Sequence, residues 1–205
     1  MIIKNLLRIF KSYKLLIFNI IFFELIYIVL GYKGNRITHT KNSSMADNIP
    51  CPYFFLYKIT QKLKIYKFKN FVDLGCGSGR VIGFFNKKFK SKFFFGIEYD
   101  LNEYKFAKKI FKENKNILIS NSNFLGFKHN KFKADCYFLN NPFTSDNTFK
   151  KFINSLIKQI PNNKKVIFVF VNFNFKVIKS IKKIELVDKY EVTNIKGYSI
   201  GLLNN

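Results

Sequence analysis

The chain has no tryptophan and only 12 acidic residues against 36 lysines and arginines. Its cysteines, Cys51, Cys76 and Cys136, are isolated and odd in number. That pattern excludes a disulfide framework and suits a reducing, cytoplasmic compartment. Histidine is confined to His39 and His129, and no C-x-x-C or H-x-x-x-H spacing occurs. No metal site is therefore expected, and neither histidine is placed as an obvious base. Long uninterrupted apolar runs are missing too. The longest candidate, residues 15–30, reads LLIFNIIFFELIYIVL and is broken by Asn19 and Glu24. As a helix it spans about 24 Å, short of the roughly 30 Å hydrocarbon core of a bilayer. No internal repeat is present.

Alanine occurs only at Ala46, Ala107 and Ala134, and arginine only at Arg8, Arg36 and Arg80, whereas phenylalanine (27), lysine, isoleucine and asparagine abound. This joint bias is what A/T-rich codons produce. The formal net charge of +24 is therefore weak evidence for nucleic-acid binding, although such a charge ordinarily points there or to an anionic membrane. The lysines are also dispersed (87–92, 105–115, 128–133, 179–183) and form no single stripe. A length of 205 residues with 48% hydrophobic content describes one domain with an appendage and excludes a disordered chain.

The most informative stretch is Phe71–Arg80, FVDLGCGSGR. A short apolar strand (Phe71, Val72, Leu74) runs into Gly75, Cys76, Gly77, Ser78 and Gly79. An apolar helix follows with Val81, Ile82, Phe84 and Phe85. Glycines permit a sharp turn and close backbone approach, and the next helix aims its unpaired N–H groups at the same place. A dinucleotide fingerprint would need glycine where Arg80 stands. Asp73 would repel a pyrophosphate but suits a ligand bearing an ammonium group.

Downstream, apolar strands alternate with helical patterns in the βαβ manner. Strands are expected at 93–97, 117–119, 136–139 and 166–171. Helices are expected at 54–66, 101–111, 149–160 and 177–184. Two closing strands, 184–192 and 198–203, would have Gly197 in the turn between them. Glu98 ends the second strand about 20 residues beyond the glycine loop, where a carboxylate holds a ribose diol. Tyr99 follows it, and Asp100 is the neighbouring alternative, better suited to capping the next helix. The fourth strand ends in Asn140-Asn141-Pro142-Phe143. An asparagine amide and a following carbonyl at such a place can accept hydrogen bonds from a substrate N–H.

Residues 71–80 resemble motif I of the class I S-adenosylmethionine (SAM)-dependent methyltransferases. The resemblance extends to Phe143 by motif and to Asn205 by layout. Together with a preceding P-x-P-Y segment, it looks like a group of small bacterial methyltransferase-like proteins. It implies a Rossmann-like, doubly wound, mainly parallel seven-stranded sheet with a C-terminal antiparallel hairpin, preceded by an N-terminal hydrophobic helix. It further implies SAM as cofactor, held by Asp73, Gly75, Cys76, Gly77, Gly79, Glu98, Tyr99, Asn123 and Phe124. In that family an acid often reads the adenine amino group where Asn123 stands, with Asn121 the competing match here. Residues 140–143 resemble the N-P-P-[YF] motif of nitrogen methyltransferases, with Asn141 in place of the first proline. The implied catalytic set is Asn140 and Asn141 as hydrogen-bond acceptors, Pro142, and Phe143 as a ring over the methylated group.

The expected organisation is an amphipathic or hydrophobic helix over 1–33, a linker or lid with a leading helix over 34–66, and a SAM-binding domain over 67–205. From Ile2, a helix turning about 100° per residue gathers Lys4, Arg8, Lys11, Ser12 and Asn19 on one stripe. That fits an anchor at the inner face of a membrane, or a tilted span extended by snorkelling lysines. The alternative is a helix packed on the domain or on a second subunit. Glu24, and the lack of an A-x-A site, argue against a signal peptide. The first functional expectation is methyl transfer to nitrogen, a protein side chain (Lys or Gln) preferred over nucleic-acid bases and over a small or lipid-associated molecule. The alternatives are a catalytically silent SAM-binding or membrane-tethered module, and a protein binding nucleic acid through charge alone.

Overall fold

A computed structural model describes residues 16–34, 36, 49–193 and 196–203. Two helices lead the chain, α1 (Leu16–Val29) and α2 (Tyr53–Leu63). The alternating body follows as β1 (Asn70–Leu74), α3 (Arg80–Lys88), β2 (Phe93–Glu98), α4 (Leu101–Ile110) and β3 (Ile117–Asn121). A 3-10 turn (Phe124–Gly126) and the short α5 (His129–Phe132) lead to β4 (Cys136–Asn140) and α6 (Asp146–Lys158). The chain then continues through β5 (Val166–Val171), α7 (Phe175–Lys179), β6 (Ile184–Thr193) and β7 (Lys196–Leu203).

The seven strands form one sheet in the order β3-β2-β1-β4-β5-β7-β6. β1 to β5 pair in parallel, and β7 inserts antiparallel between β5 and β6. The Rossmann-like sheet and closing hairpin expected from the sequence are therefore present. Strand order reverses between β1 and β4, and the carboxyl ends of those two strands open a crevice at that switch point.

Strand alternation divides the core between the two faces. Phe71 of β1 faces a cluster with Phe55, Phe84, Phe85, Phe94 and Phe138, under α2, α3 and α4. Val72 and Leu74 face the opposite cluster, with Tyr137, Leu139, Phe149, Phe168 and Phe170, under α6 and α7. β5, the apolar run VIFVFV, is buried at every position, as a strand covered on both faces must be. Aromatic rings meeting edge to face fill much of this interior, for example Phe71 on Phe85 at 5.1 Å.

Two local expectations change. The helix expected at 177–184 is the single turn and a half Phe175–Lys179, started by Asn174, whose side chain accepts from the Lys176 N–H. Gly197 does not sit in the hairpin turn. It is the second residue of β7, at φ +133°, where a Cβ would collide with the Tyr190 carbonyl oxygen.

α1 lies against the body. Its inward residues Ile17, Ile20, Phe23 and Tyr27 pack on it, with Phe23 on Phe54 at 5.5 Å and Tyr27 on Phe84 at 5.1 Å. Its outward residues Phe18, Ile21, Phe22, Leu25 and Val29 are exposed. Spacings of three and four put these on one face, so α1 is apolar on both sides. Lys4, Arg8, Lys11 and Ser12 of the expected basic stripe lie outside the described residues; Asn19 is exposed. No described helix is long and apolar enough to cross a membrane.

Candidate active site

The crevice at the end of β1 is shaped by backbone. Gly75, Gly77 and Gly79 have φ values of +82°, +51° and +87°, so the loop runs through three left-handed residues. Gly75 and Cys76 both donate their N–H groups to the Ile97 carbonyl, at 2.9 and 3.1 Å, and Gly79 donates to Cys76 at 2.9 Å. These bonds tie the loop to the end of β2. At Gly75 a Cβ would come within 3.0 Å of Pro142, so the N-N-P-F segment rests directly on the loop.

Glu98 closes the arrangement from β2. One carboxylate oxygen accepts from Gly77 N at 2.7 Å and the other from Asp100 N at 2.8 Å. Each oxygen retains a second lone pair for a further donor. Burial raises the Glu98 pKa, opposed by those backbone bonds. Asp100 caps α4 as its position implied, accepting from the Asn102 and Glu103 N–H groups. Tyr99 stands exposed at the rim. Cys76 is buried against Gly96, where a Cβ would lie 2.7 Å from its sulfur, and burial holds its thiol well above the ordinary value.

Asp73 is 1% exposed, and its Oδ2 is buried without a hydrogen-bond partner among the described residues. Burial, reinforced by the Glu98 charge, pushes its carboxyl well above the ordinary carboxylate range. A buried oxygen with no partner is costly, and a cationic ligand group would relieve that cost. Asp73 lines a small cleft with Gly34, Ile49, Pro50, Cys51, Gly75, Cys76, Ser78, Arg80 and Asn140. Gly34 presses on the loop so closely that a Cβ there would lie 2.5 Å from the Arg80 nitrogen.

At the end of β4, Asn140 donates to the Ile49 carbonyl at 2.8 Å, and its own oxygen accepts from Asn172 Nδ2 at 3.0 Å. Asn141 is left-handed at φ +39°, which turns the chain toward the loop. Sequence reasoning missed Asn172, which follows β5 at φ +59° and donates its N–H to the Gly197 carbonyl. Its only signal was an asparagine closing an otherwise apolar strand.

The structure brings Asp73, the glycine loop, Glu98, Asn140, Asn141 and Pro142 around the one crevice. Phe143 differs from expectation. Its ring is 7% exposed and packs on Phe124, Phe149 and Phe152 at 5.3 to 5.6 Å. It is core, because the neighbouring α6 presents its own phenylalanines there. Phe124 is buried in the same group, touching Phe152 at 5.6 Å. Asn123 spends its side-chain oxygen partly on the Leu125 N–H at 2.9 Å. The competitor Asn121 donates to the Glu98 and Tyr99 carbonyls, each at 2.9 Å, and so braces the strand end that carries Glu98.

Comparisons with known proteins agree with this geometry. The family model described as histone methylation protein DOT1 matches residues 51–195. No curated protein sequence matches the chain. Among solved structures, an RNA methyltransferase from Salinibacter ruber in complex with S-adenosyl-L-homocysteine is similar at 15% identity. That match covers 77% of this chain and 95% of that one, with a TM-score of 0.53. A methyltransferase from Geobacter sulfurreducens is similar at 15% identity over 73% of this chain and 78% of that one, TM-score 0.55. The N-methyltransferase NodS from Bradyrhizobium japonicum is similar at 12% identity over 74% and 96%, TM-score 0.52. At such identities the neighbours carry the fold, while the family model spans most of the chain and carries the relationship. Since that family model covers residues 51–195, the chain belongs to the DOT1 histone methylation protein family and is a SAM-dependent methyltransferase.

Proposed function

We propose that the enzyme methylates a nitrogen of a protein side chain, lysine or glutamine. The observation that carries this reading is the family match, since the family's description names a protein, histone, as what is methylated. The Asn140-Asn141-Pro142 strand end beside the glycine loop supports it. SAM supplies an electrophilic methyl group on a sulfonium, so the protein's contribution is positioning and exclusion of water. Asp73 would hold the ammonium, Glu98 the ribose hydroxyls, and Asn123 the adenine amino group. Asn140 and the Asn141 carbonyl would accept the N–H groups of a neutral acceptor nitrogen, leaving its lone pair directed to the methyl. Asn172 orients the Asn140 amide for that task.

The test is incubation of cell lysate with radiolabelled SAM and the purified enzyme, followed by separation of protein, RNA and lipid. Label in protein that is recovered as a methylated lysine or glutamine after digestion by proteases and peptidases is expected. Label confined to RNA, as the name of the Salinibacter neighbour would suggest, overturns the acceptor assignment.

The outer face of α1 favours one addition. We propose that Phe18, Ile21, Phe22, Leu25 and Val29 contact an anionic membrane surface at its cytoplasmic face, since a chain of net charge +24 is complementary to such a surface. Sedimentation of the full-length protein with phosphatidylserine-containing vesicles, lost in Phe22→Ser/Leu25→Ser, is expected. A stable dimer in solution that the same substitutions dissociate, with no vesicle binding, would overturn it.

A further inference from the structure

α1 and the glycine loop lie far apart in sequence and meet at one ion pair. Arg80 is the first residue of α3, directly after Gly79, and only 8% of it is exposed. Its Nη1 donates to both carboxylate oxygens of Glu24, each at 2.9 Å, and to the Cys51 carbonyl at 3.2 Å. Its guanidinium carbon sits 4.4 Å over the Tyr53 ring. Glu24 Oε1 also accepts from the Tyr53 N–H at 2.9 Å. Tyr53 opens α2, whose N-cap, Pro52, makes no side-chain cap bond. One carboxylate from α1 therefore caps α2 from outside and neutralises the buried Arg80. In sequence, Glu24 looked like a fault in an apolar run, and Arg80 like a departure from a dinucleotide fingerprint. Each accounts for the other.

Arg80 and Cys51 line the same cleft as Asp73, Gly75 and Ser78. We propose that Glu24 is a positioning residue for the cofactor, holding the Cys51–Tyr53 segment and the glycine loop at the separation that the amino-acid end of SAM requires. This rests on the assignment of the cleft to that end of SAM. Glu24 acts in two ways. It clamps two walls of the cleft through Arg80 and Tyr53. It also cancels a buried cation in the wall where Asp73 must receive an ammonium group. Removing its charge leaves Arg80 buried and unpaired, which costs more than losing the pair altogether.

The test uses the full-length chain and calorimetry with three ligands. SAM and S-adenosylhomocysteine carry the amino-acid end; 5′-methylthioadenosine lacks it. In Glu24→Gln, affinity for the first two is expected to fall tenfold or more while that for methylthioadenosine changes less than twofold. In Glu24→Gln/Arg80→Met the uncompensated cation is gone, and SAM should bind more tightly than to Glu24→Gln alone yet more weakly than to wild type. If Glu24→Gln does not fold, the double variant carries the test through the same SAM-to-methylthioadenosine ratio. Equal losses for SAM and methylthioadenosine, or unchanged SAM affinity, would overturn the positioning role. Wild-type protein that binds methylthioadenosine but neither amino-acid-bearing ligand would instead overturn the assignment of the cleft.

Discussion

The wall of the crevice built by β1 and its loop is held mostly by main-chain bonds. Gly75, Cys76 and Gly79 satisfy their N–H groups on nearby carbonyls, and Gly77 on Glu98. The wall built by β4 and β5 is held by side chains from distant places, with Asn140 bridging the Ile49 carbonyl and the Asn172 amide. A wall built mostly of backbone bonds depends on few side chains, and suits a ligand that never changes. A wall built of side chains can be retuned by single substitutions, and suits an acceptor that differs between relatives. If this division is right, substitutions on the first wall act on cofactor affinity and those on the second on methyl transfer.

The largest effect is expected at Gly34, which presses on the glycine-loop wall. Its φ is +86°, and a Cβ would meet backbone atoms of Arg80 at 2.5 and 2.7 Å, which no rotamer change can relieve. Gly34→Ala should cost about 2–5 kcal/mol through left-handed strain plus overpacking, and should weaken SAM binding by pushing the backbone at Gly34 away from the loop. Gly31→Ala is the control. It has φ +70° with nothing within 4 Å of the added carbon, so only the strain of about 1–2 kcal/mol applies. Thermal midpoints that fall equally in the two variants would show that the contact at Gly34 is dispensable.

Next comes Asp73. Asp73→Asn should weaken SAM binding ten- to a hundredfold, since it removes the carboxylate proposed to receive the ammonium. The pH dependence follows from the raised carboxyl. An acid whose pKa is higher folded than unfolded contributes stability at pH below its unfolded value, and loses it as pH rises through the folded value. The ligand-free enzyme should therefore lose stability as pH rises above the ordinary carboxylate value of 3.8 through the raised one. A cationic ligand selects the ionised form, so SAM affinity should rise across that window, by up to about tenfold per pH unit for one proton. Glu98 is also raised by burial, so Asp73→Asn should remove one proton's share of the slope and leave that of Glu98. An unchanged pH profile in Asp73→Asn would separate Asp73 from the cofactor.

Glu98→Gln is milder. The amide keeps one acceptor oxygen for Gly77 N or a ribose hydroxyl but loses the charge. Since charged hydrogen bonds exceed neutral ones by about 1 kcal/mol, SAM affinity should fall roughly fivefold. Calorimetry decides this directly, and a loss larger than that of Asp73→Asn would reverse their order of importance.

The same contrast explains what the sequence disclosed. The geometry of the glycine-loop wall was readable because its determinants are local. Three glycines at alternate positions prescribe left-handed backbone, and an acid at the end of the next strand must come back to the same edge of the sheet. Asp100 could be assigned as a cap from its place before a helix, and it does cap α4. The geometry of the opposite wall was readable only where β4 itself supplies it. Asn172, Ile49 and Glu24 reach the crevice across 32, 91 and 56 positions from their partners Asn140 and Arg80, and no local pattern announces such contacts. Phe143 was misplaced for a related reason. In a chain with 27 phenylalanines the ring finds other rings, and α6 offers Phe149 and Phe152 before any substrate does. α1 was read by its hydrophobicity, which does not reveal that its single acid on one face is satisfied by a buried arginine.

The smallest effect on cofactor affinity, and the sharpest test of the division, belongs to the asparagine pair. Asn140→Ala and Asn172→Ala should each leave SAM affinity within twofold of wild type, because no bond of the glycine loop runs through either side chain. Both should lower the rate of protein labelling from radiolabelled SAM, Asn140→Ala by removing the acceptor oxygen and Asn172→Ala by releasing the amide that fixes it. Because the two act as one unit, the double variant should be little slower than Asn140→Ala alone. Asn172 thus acts through Asn140, and a rate loss in Asn172→Ala that simply multiplies with that of Asn140→Ala would give it an independent role. If either alanine variant instead weakens SAM binding as much as Glu98→Gln, the side-chain wall shapes the cofactor site as well. The boundary between the two halves would then lie elsewhere, with Ile49 the first residue to reassign, since Asn140 holds its carbonyl.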